Sequence, residues 1–96
     1  MNAVSLIGTL TDPPDLQETA TAPPRCTMRL AVPRRSQSGR QEPGVVYIDV
    51  TTFGEQAREC GRRLKLGSRI GLAGRLDTDH PRESAAGVLI DQLDFL

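Results

Sequence analysis

Val45-Val-Tyr-Ile-Asp-Val-Thr-Thr-Phe53 runs directly into Gly54-Glu-Gln-Ala-Arg-Glu-Cys-Gly-Arg-Arg-Leu-Lys-Leu66, and Gly67 follows. In the first stretch Val46, Ile48, Val50 and Thr52 share one face, and Tyr47, Asp49, Thr51 and Phe53 share the other. That two-residue period marks a strand over 45–53. Past Gly54 the period changes. Ala57, Cys60, Gly61 and Leu64 fall on one stripe, with Arg58, Glu59, Arg62 and Arg63 mostly outside it. This predicts an amphipathic helix over 55–66, stopped by Gly67.

Upstream, residues 3–10 alternate, with Val4, Leu6 and Leu10 on one parity and Ala3, Ser5 and Thr9 on the other. Gly8 inside that strand predicts a bend or a close backbone approach. Residues 11–24 are turn-rich, with Asp-Pro-Pro and Ala-Pro-Pro at their ends. Residues 26–32 form a second strand, with Met28, Leu30 and Val32 inward and Thr27, Arg29 and Ala31 outward. Pro33 ends it, because proline donates no ladder hydrogen bond. A polar loop over 33–44 carries Arg34, Arg35 and Arg40.

Downstream, 68–76 reads as a strand with Ile70, Leu72 and Leu76 inward and Arg69, Gly71, Ala73 and Arg75 outward. A polar hairpin loop over 77–87 leads to a final strand over 88–96. Five strands with one helix between the third and fourth give an all-β chain with the layout of the OB-fold, a five-stranded Greek-key barrel. Other small mixed folds share that order.

Ninety-six residues suffice for one domain, here 1–96, and not for two. No apolar run approaches the roughly 20 residues of a membrane span. The N-terminus lacks the basic and apolar regions of a signal peptide. A cytoplasmic protein is expected. Cys26 and Cys60 are too few, with His80 alone beside them, for a structural zinc site. They read as small buried hydrophobes, with a Cys26–Cys60 disulfide as the alternative. No metal and no cofactor are expected.

The formal net charge is zero, but the charge is unevenly placed. Residues 25–75 hold eleven basic and four acidic groups, while both flanks are acidic. All but one of the basic groups are arginine, which forks onto phosphates and stacks on flat rings. Nucleic acid is one partner that such a centre fits; an arginine-rich solvated surface is the other reading, since the whole-domain balance is not basic.

Catalytic patterns are sparse. Gly71 and Gly74 lie within a strand pattern and match no dinucleotide fingerprint. His80 has no nucleophile beside it, and Asp77 and Asp79 fit turn chemistry. The chain is therefore not read as an enzyme. Tyr47 and Phe53, six apart on one strand, point from the same face beside Asp49 and Thr51. Two aromatics on the polar side of an inner strand suit base stacking, which tolerates any sequence. Phe53, next to Gly54, equally suits a place under the helix.

Several stretches resemble bacterial single-stranded DNA-binding proteins. They are Met-Asn-Ala-Val-Ser-Leu-Ile-Gly-Thr-Leu-Thr-Asp-Pro-Pro-Asp-Leu at 1–16, Met28-Arg-Leu-Ala-Val32, Val50-Thr-Thr-Phe-Gly-Glu-Gln-Ala57, Leu66-Gly-Ser-Arg-Ile-Gly-Leu-Ala-Gly-Arg-Leu76 and Asp94-Phe-Leu96. The resemblance runs over nearly the whole chain in order. It implies an OB-fold that binds single-stranded DNA without strong sequence preference, in replication, recombination or repair at the nucleoid. It implies a homotetramer, with a dimer as the alternative. Tyr47 falls where the family usually has a tryptophan, and Phe53 where it has a stacking phenylalanine. With them, Arg29, Arg34, Arg35, Arg40, Arg69 and Arg75 are the expected nucleic-acid-binding residues.

There are departures from the family pattern. No tryptophan stands near Ser36 and no aromatic near Pro81, and Asp49, Asp77 and Asp79 replace common basic residues. The sequence given stops at Leu96, so recruitment of replication proteins by an acidic tail is not expected. The alternative reading is an OB-fold assembly module with weakened DNA binding that pairs with another protein.

Overall fold

A computed structural model describes residues 1–34, 44–77 and 87–96. The elements are β1 (Val4–Leu10), β2 (Asp15–Gln17), β3 (Arg25–Pro33), β4 (Val45–Phe53), α1 (Glu55–Arg63), β5 (Arg69–Asp77) and β6 (Gly87–Phe95). Hydrogen bonds order the strands β1-β5-β6-β4-β3-β2, and β1 also pairs with β3. That second pairing closes five strands into a barrel and leaves β2 as a fringe on β3. With one helix between β4 and β5, this is the OB-fold that the strand order predicts. Each ladder is antiparallel except the short parallel pairing of β4 with β6, Val50↔Val88 and Thr51↔Leu89.

Alternation fills the barrel. Leu10, Met28, Leu30, Val50, Ile70, Leu72, Val88 and Ile90 form its buried interior. Each such side chain contributes about 1.5–3 kcal/mol by leaving water. Gly8 is required where β1 crosses β3, because a Cβ there would stand 2.9 Å from the Ala31 carbonyl oxygen. Helix α1 packs Ala57 and Cys60 onto the barrel next to Cys26. Gly61 lets it lie close on Leu16. Cys26 and Cys60 are free and fully buried, as small hydrophobes. A hydrogen bond to Cys60, with burial, pushes the Cys26 thiol up and keeps it protonated. Outside the barrel, Arg58 ties the helix to Glu18 at 2.8 Å.

The structure departs from the sequence reading at several places. The fringe strand β2 lies within the stretch read as turns. Helix α1 ends at Arg63 rather than at 66, because Leu64 turns extended (φ −98°, ψ 153°) and tucks into the core. Gly67 then pins the connection, donating its N–H to the Leu10 carbonyl at 3.0 Å. Leu76, read as inward, is exposed. Its strand outruns β1, whose ladder ends at Val4↔Gly74, and beyond that the Asn2 side chain bonds the Leu76 backbone without burying its side chain. Val46 is exposed for the same kind of reason. Strand β6 reaches β4 only at Val50 and Thr51, and β3–β4 projects beyond the barrel as a two-stranded ribbon. Among the described residues no helix is long and apolar enough to cross a membrane.

Candidate nucleic-acid interface

The register of β3 against β4 sets the outer face. Ala31 lies opposite Tyr47, Arg29 opposite Asp49, Thr27 opposite Thr51 and Arg25 opposite Phe53. The even positions of β3 that face the core are buried, so these odd positions turn outward. Tyr47 is 54% exposed. Small Ala31 across from it leaves its ring open. The Arg29 guanidinium carbon lies 5.2 Å from the ring centroid, a cation–π distance. Arg29 Nη1 also donates to Asp49 Oδ1 at 3.5 Å, a long and therefore weak contact. This face thus carries one ring and one arginine, with a carboxylate that offsets the positive charge.

Further along the same face, Thr51 is buried between the Thr27 and Leu89 ladders. Its hydroxyl has no hydrogen-bond partner among the described residues. Phe53 is half-buried and lines an outer depression with Gln56 of α1, Arg75 and Asp91. Arg75 Nη1 donates to Asp91 Oδ1 at 2.5 Å. The pair of rings shares one parity of β4; Arg29 lies over the Tyr47 ring, and Arg75 lines the same depression as Phe53.

The other expected residues lie elsewhere. Arg34, at the end of β3, and Arg69, at the start of β5, line a separate concavity of about 1180 Å³ that also holds Ile7, Gly71, Ala73 and Leu96. The strand β5 carries Arg69 and Arg75 at opposite ends, and this separates them. Arg35 and Arg40 lie outside the described residues, as do Ser36, Asp79, His80 and Pro81. Sequence reasoning missed Arg25, which shares the parity of Arg29 but stood one residue before the predicted strand. It also missed Gln56 and Asp91, which only the barrel brings to Phe53. Phe95 is covered by Arg63, whose guanidinium carbon lies 3.9 Å from the ring centroid.

The single-strand binding protein family model matches residues 1–93. The chain is 32% identical to single-stranded DNA-binding protein 1 of Clostridium acetobutylicum, covering all of this chain and 94% of that protein. It is 36% identical to the single-stranded DNA-binding protein of Clostridium tetani, covering all of this chain and 70% of the relative. A crystal structure of a deletion mutant of the single-stranded DNA binding protein from Thermus aquaticus superposes with a TM-score of 0.80 at 29% identity, over all of this chain and half of that one. The barrel, its register and these whole-length matches agree, and the chain belongs to the single-strand binding protein family.

Proposed function

We propose that this chain binds single-stranded DNA along the outer face of β3 and β4 without strong sequence preference, and serves replication, recombination or repair at the nucleoid. One observation carries the reading: an exposed Tyr47 ring with Arg29 beside it, on the strand pair with which OB-folds hold oligonucleotides. A base stacks on the ring while the guanidinium meets a phosphate. Phe53 continues the track, and Arg34, Arg35 and Arg40, which follow β3 in sequence, are proposed to add positive charge. Stacking serves any base, because every base has a π-face.

The active form is proposed to be a homotetramer, with a dimer as the alternative. Support comes from the concavity in which exposed Ile7 and Leu96 and the small Gly71 and Ala73 lie beside Arg34, Arg69 and Asp94. Ile7 is 52% and Leu96 65% exposed. Small residues at 71 and 73 leave room for a second copy.

A second reading, an assembly module with weakened DNA binding, has its own observation. Both arginines beside the rings are paired with carboxylates, Asp49 and Asp91. Titration with oligo-dT at two salt concentrations decides between them. The expected result is saturable binding that weakens with salt, by about 0.7 in log K per log salt for each neutralised phosphate. Tyr47→Ala should weaken it by about 1–3 kcal/mol with the fold intact. No binding of the wild-type chain at low salt would leave the assembly reading standing alone.

A further inference from the structure

We propose that the depression beside Phe53 is a base-selective subsite that takes a guanine from the bound strand. The inference rests on the reading of the β3–β4 face as a single-strand track and adds a preference at one position of it.

The depression holds about 360 Å³, within the roughly 300–1,000 Å³ of small-ligand sites. Its walls are Thr52, Phe53, Gln56, Arg75 and Asp91, with Leu89 and Ile90 behind them. Phe53 supplies the flat apolar surface. The buried Thr52 hydroxyl donates to Gln56 Oε1 at 2.7 Å. That bond occupies the carbonyl end of the Gln56 amide and leaves its NH₂ as a pair of oriented donors. Across the depression, the Arg75 guanidinium engages Asp91 Oδ1. Asp91 Oδ2 is an anionic acceptor, and Oδ1 keeps a second lone pair, so the carboxylate can take two adjacent donors. The site thus offers one stacking wall, one oriented amide donor and one carboxylate.

The backbone aims that carboxylate. Between Ala73 and Gly74 the β5–β6 ladder shifts register, so Ala73 pairs with Gln92, Gly74 with Ile90, and Asp91 with nothing on β5. A bulge of this kind re-aims the side chain it carries. A carboxylate on a surface that receives phosphates is electrostatically unfavourable, and Arg75 offsets it. Reading a base donor gives that carboxylate a task on such a surface.

The bases differ in what they show a carboxylate. Guanine presents two adjacent donors, N1–H and the N2 amino group, with the O6 acceptor next to them. The donors face Asp91 and O6 faces a donor of Gln56 or Arg75. Thymine presents a single N3–H between two carbonyl oxygens, which the carboxylate repels. Adenine and cytosine each put an acceptor nitrogen beside their amino group. Only guanine matches two side-by-side donors to the carboxylate.

The test uses the full chain and oligonucleotides of about twelve nucleotides, within the span of one OB-fold. One is all dT, one has a single dT replaced by dG, and one has it replaced by deoxyinosine, which lacks the N2 amino group. A single dG avoids quartet formation. The dG oligonucleotide should bind at least about fivefold more tightly than all-dT. Deoxyinosine should lose most of that gain, and in Asp91→Asn the dG-to-dT ratio should fall to about one. Binding of dT with no gain from dG would overturn the subsite while the single-strand reading stands. A gain that persists with deoxyinosine or in Asp91→Asn would overturn it as well, since stacking alone would then explain it. Failure of every oligonucleotide to bind would remove the single-strand reading, and the subsite with it.

Discussion

Asp49 governs how much positive charge the Tyr47 face offers. Its carboxylate is nearly buried, whereas Arg29 still shows about a third of its side chain to solvent. Removing the negative charge frees a phosphate ligand at the centre of the face. Asp49→Asn should therefore tighten oligo-dT binding and steepen the salt dependence by about 0.7, the single-strand value for one further phosphate. Titrations at several salt concentrations measure this directly. Thr51, one step along the strand, makes the opposite kind of statement. Among the described residues its buried hydroxyl has no partner, which costs about 1–3 kcal/mol. Valine has the same shape without the hydroxyl, so Thr51→Val should raise the midpoint of urea unfolding, by about 1 kcal/mol in stability. At this scale the site was partly legible. The two rings announce themselves because aromatics on a polar parity are conspicuous in a sequence this poor in them. The pairing of Arg29 with Asp49 depends on cross-strand register, which no single strand carries.

Among the elements, β5 and β6 depend on one glycine. At the register shift a Cβ on Gly74 would collide with the Leu89 carbonyl oxygen, and backbone on both sides leaves it no room. Gly74→Ala should destabilise the fold by about 3 kcal/mol, the upper end of overpacking costs, as read by thermal melting. This bulge also explains a limit of pattern reading. In β6 the inward residues are Val88 and Ile90 and then, after Asp91, Leu93 and Phe95. The parity changes at the bulge, so strict alternation fails there although both halves obey it. Strands β1 and β3 were readable because their burial alternates along the strand, whereas β4 buries Val50, Thr51 and Thr52 in a row and β5 buries Ile70, Gly71 and Leu72, so there only the apolar content of the stretch was legible. Three residues, Asp15–Gln17, are too few to display a period, and β2 exists because β3 offers them an edge. The helix stripe extended to Leu64 since that side chain is buried either way; a stripe reports burial and does not report where the backbone leaves the helical region.

For the whole molecule, the two rings and the exposed apolar side chains of the larger concavity suggest two uses of the surface. The β3–β4 face carries rings and arginines, and the β1–β5 side carries Ile7, Gly71 and Ala73. Introducing a charge on the second should disturb assembly first. Ile7→Asp, at a position exposed in the single chain, should keep a folded barrel by circular dichroism. In sedimentation equilibrium it should shift the mass from tetramer towards monomer. A wild-type chain that sediments as a monomer at micromolar concentration would refute the assembly proposal.

The closure of the barrel also sets how the chain must be made. Val4 waits for Gly74, and Val50 waits for Val88. The β3–β4 and β5–β6 ladders join neighbours in sequence, whereas the β1–β5 and β4–β6 ladders that close the barrel do not. A nascent chain leaving the ribosome therefore cannot complete the barrel until β6 has emerged, and until then β4 and β5 present unpaired edges on which other chains can add. Non-local pairing of this kind places refolding in roughly the millisecond-to-second range. Yield on refolding should accordingly fall as protein concentration rises, through competition between β6 and the edges of other molecules.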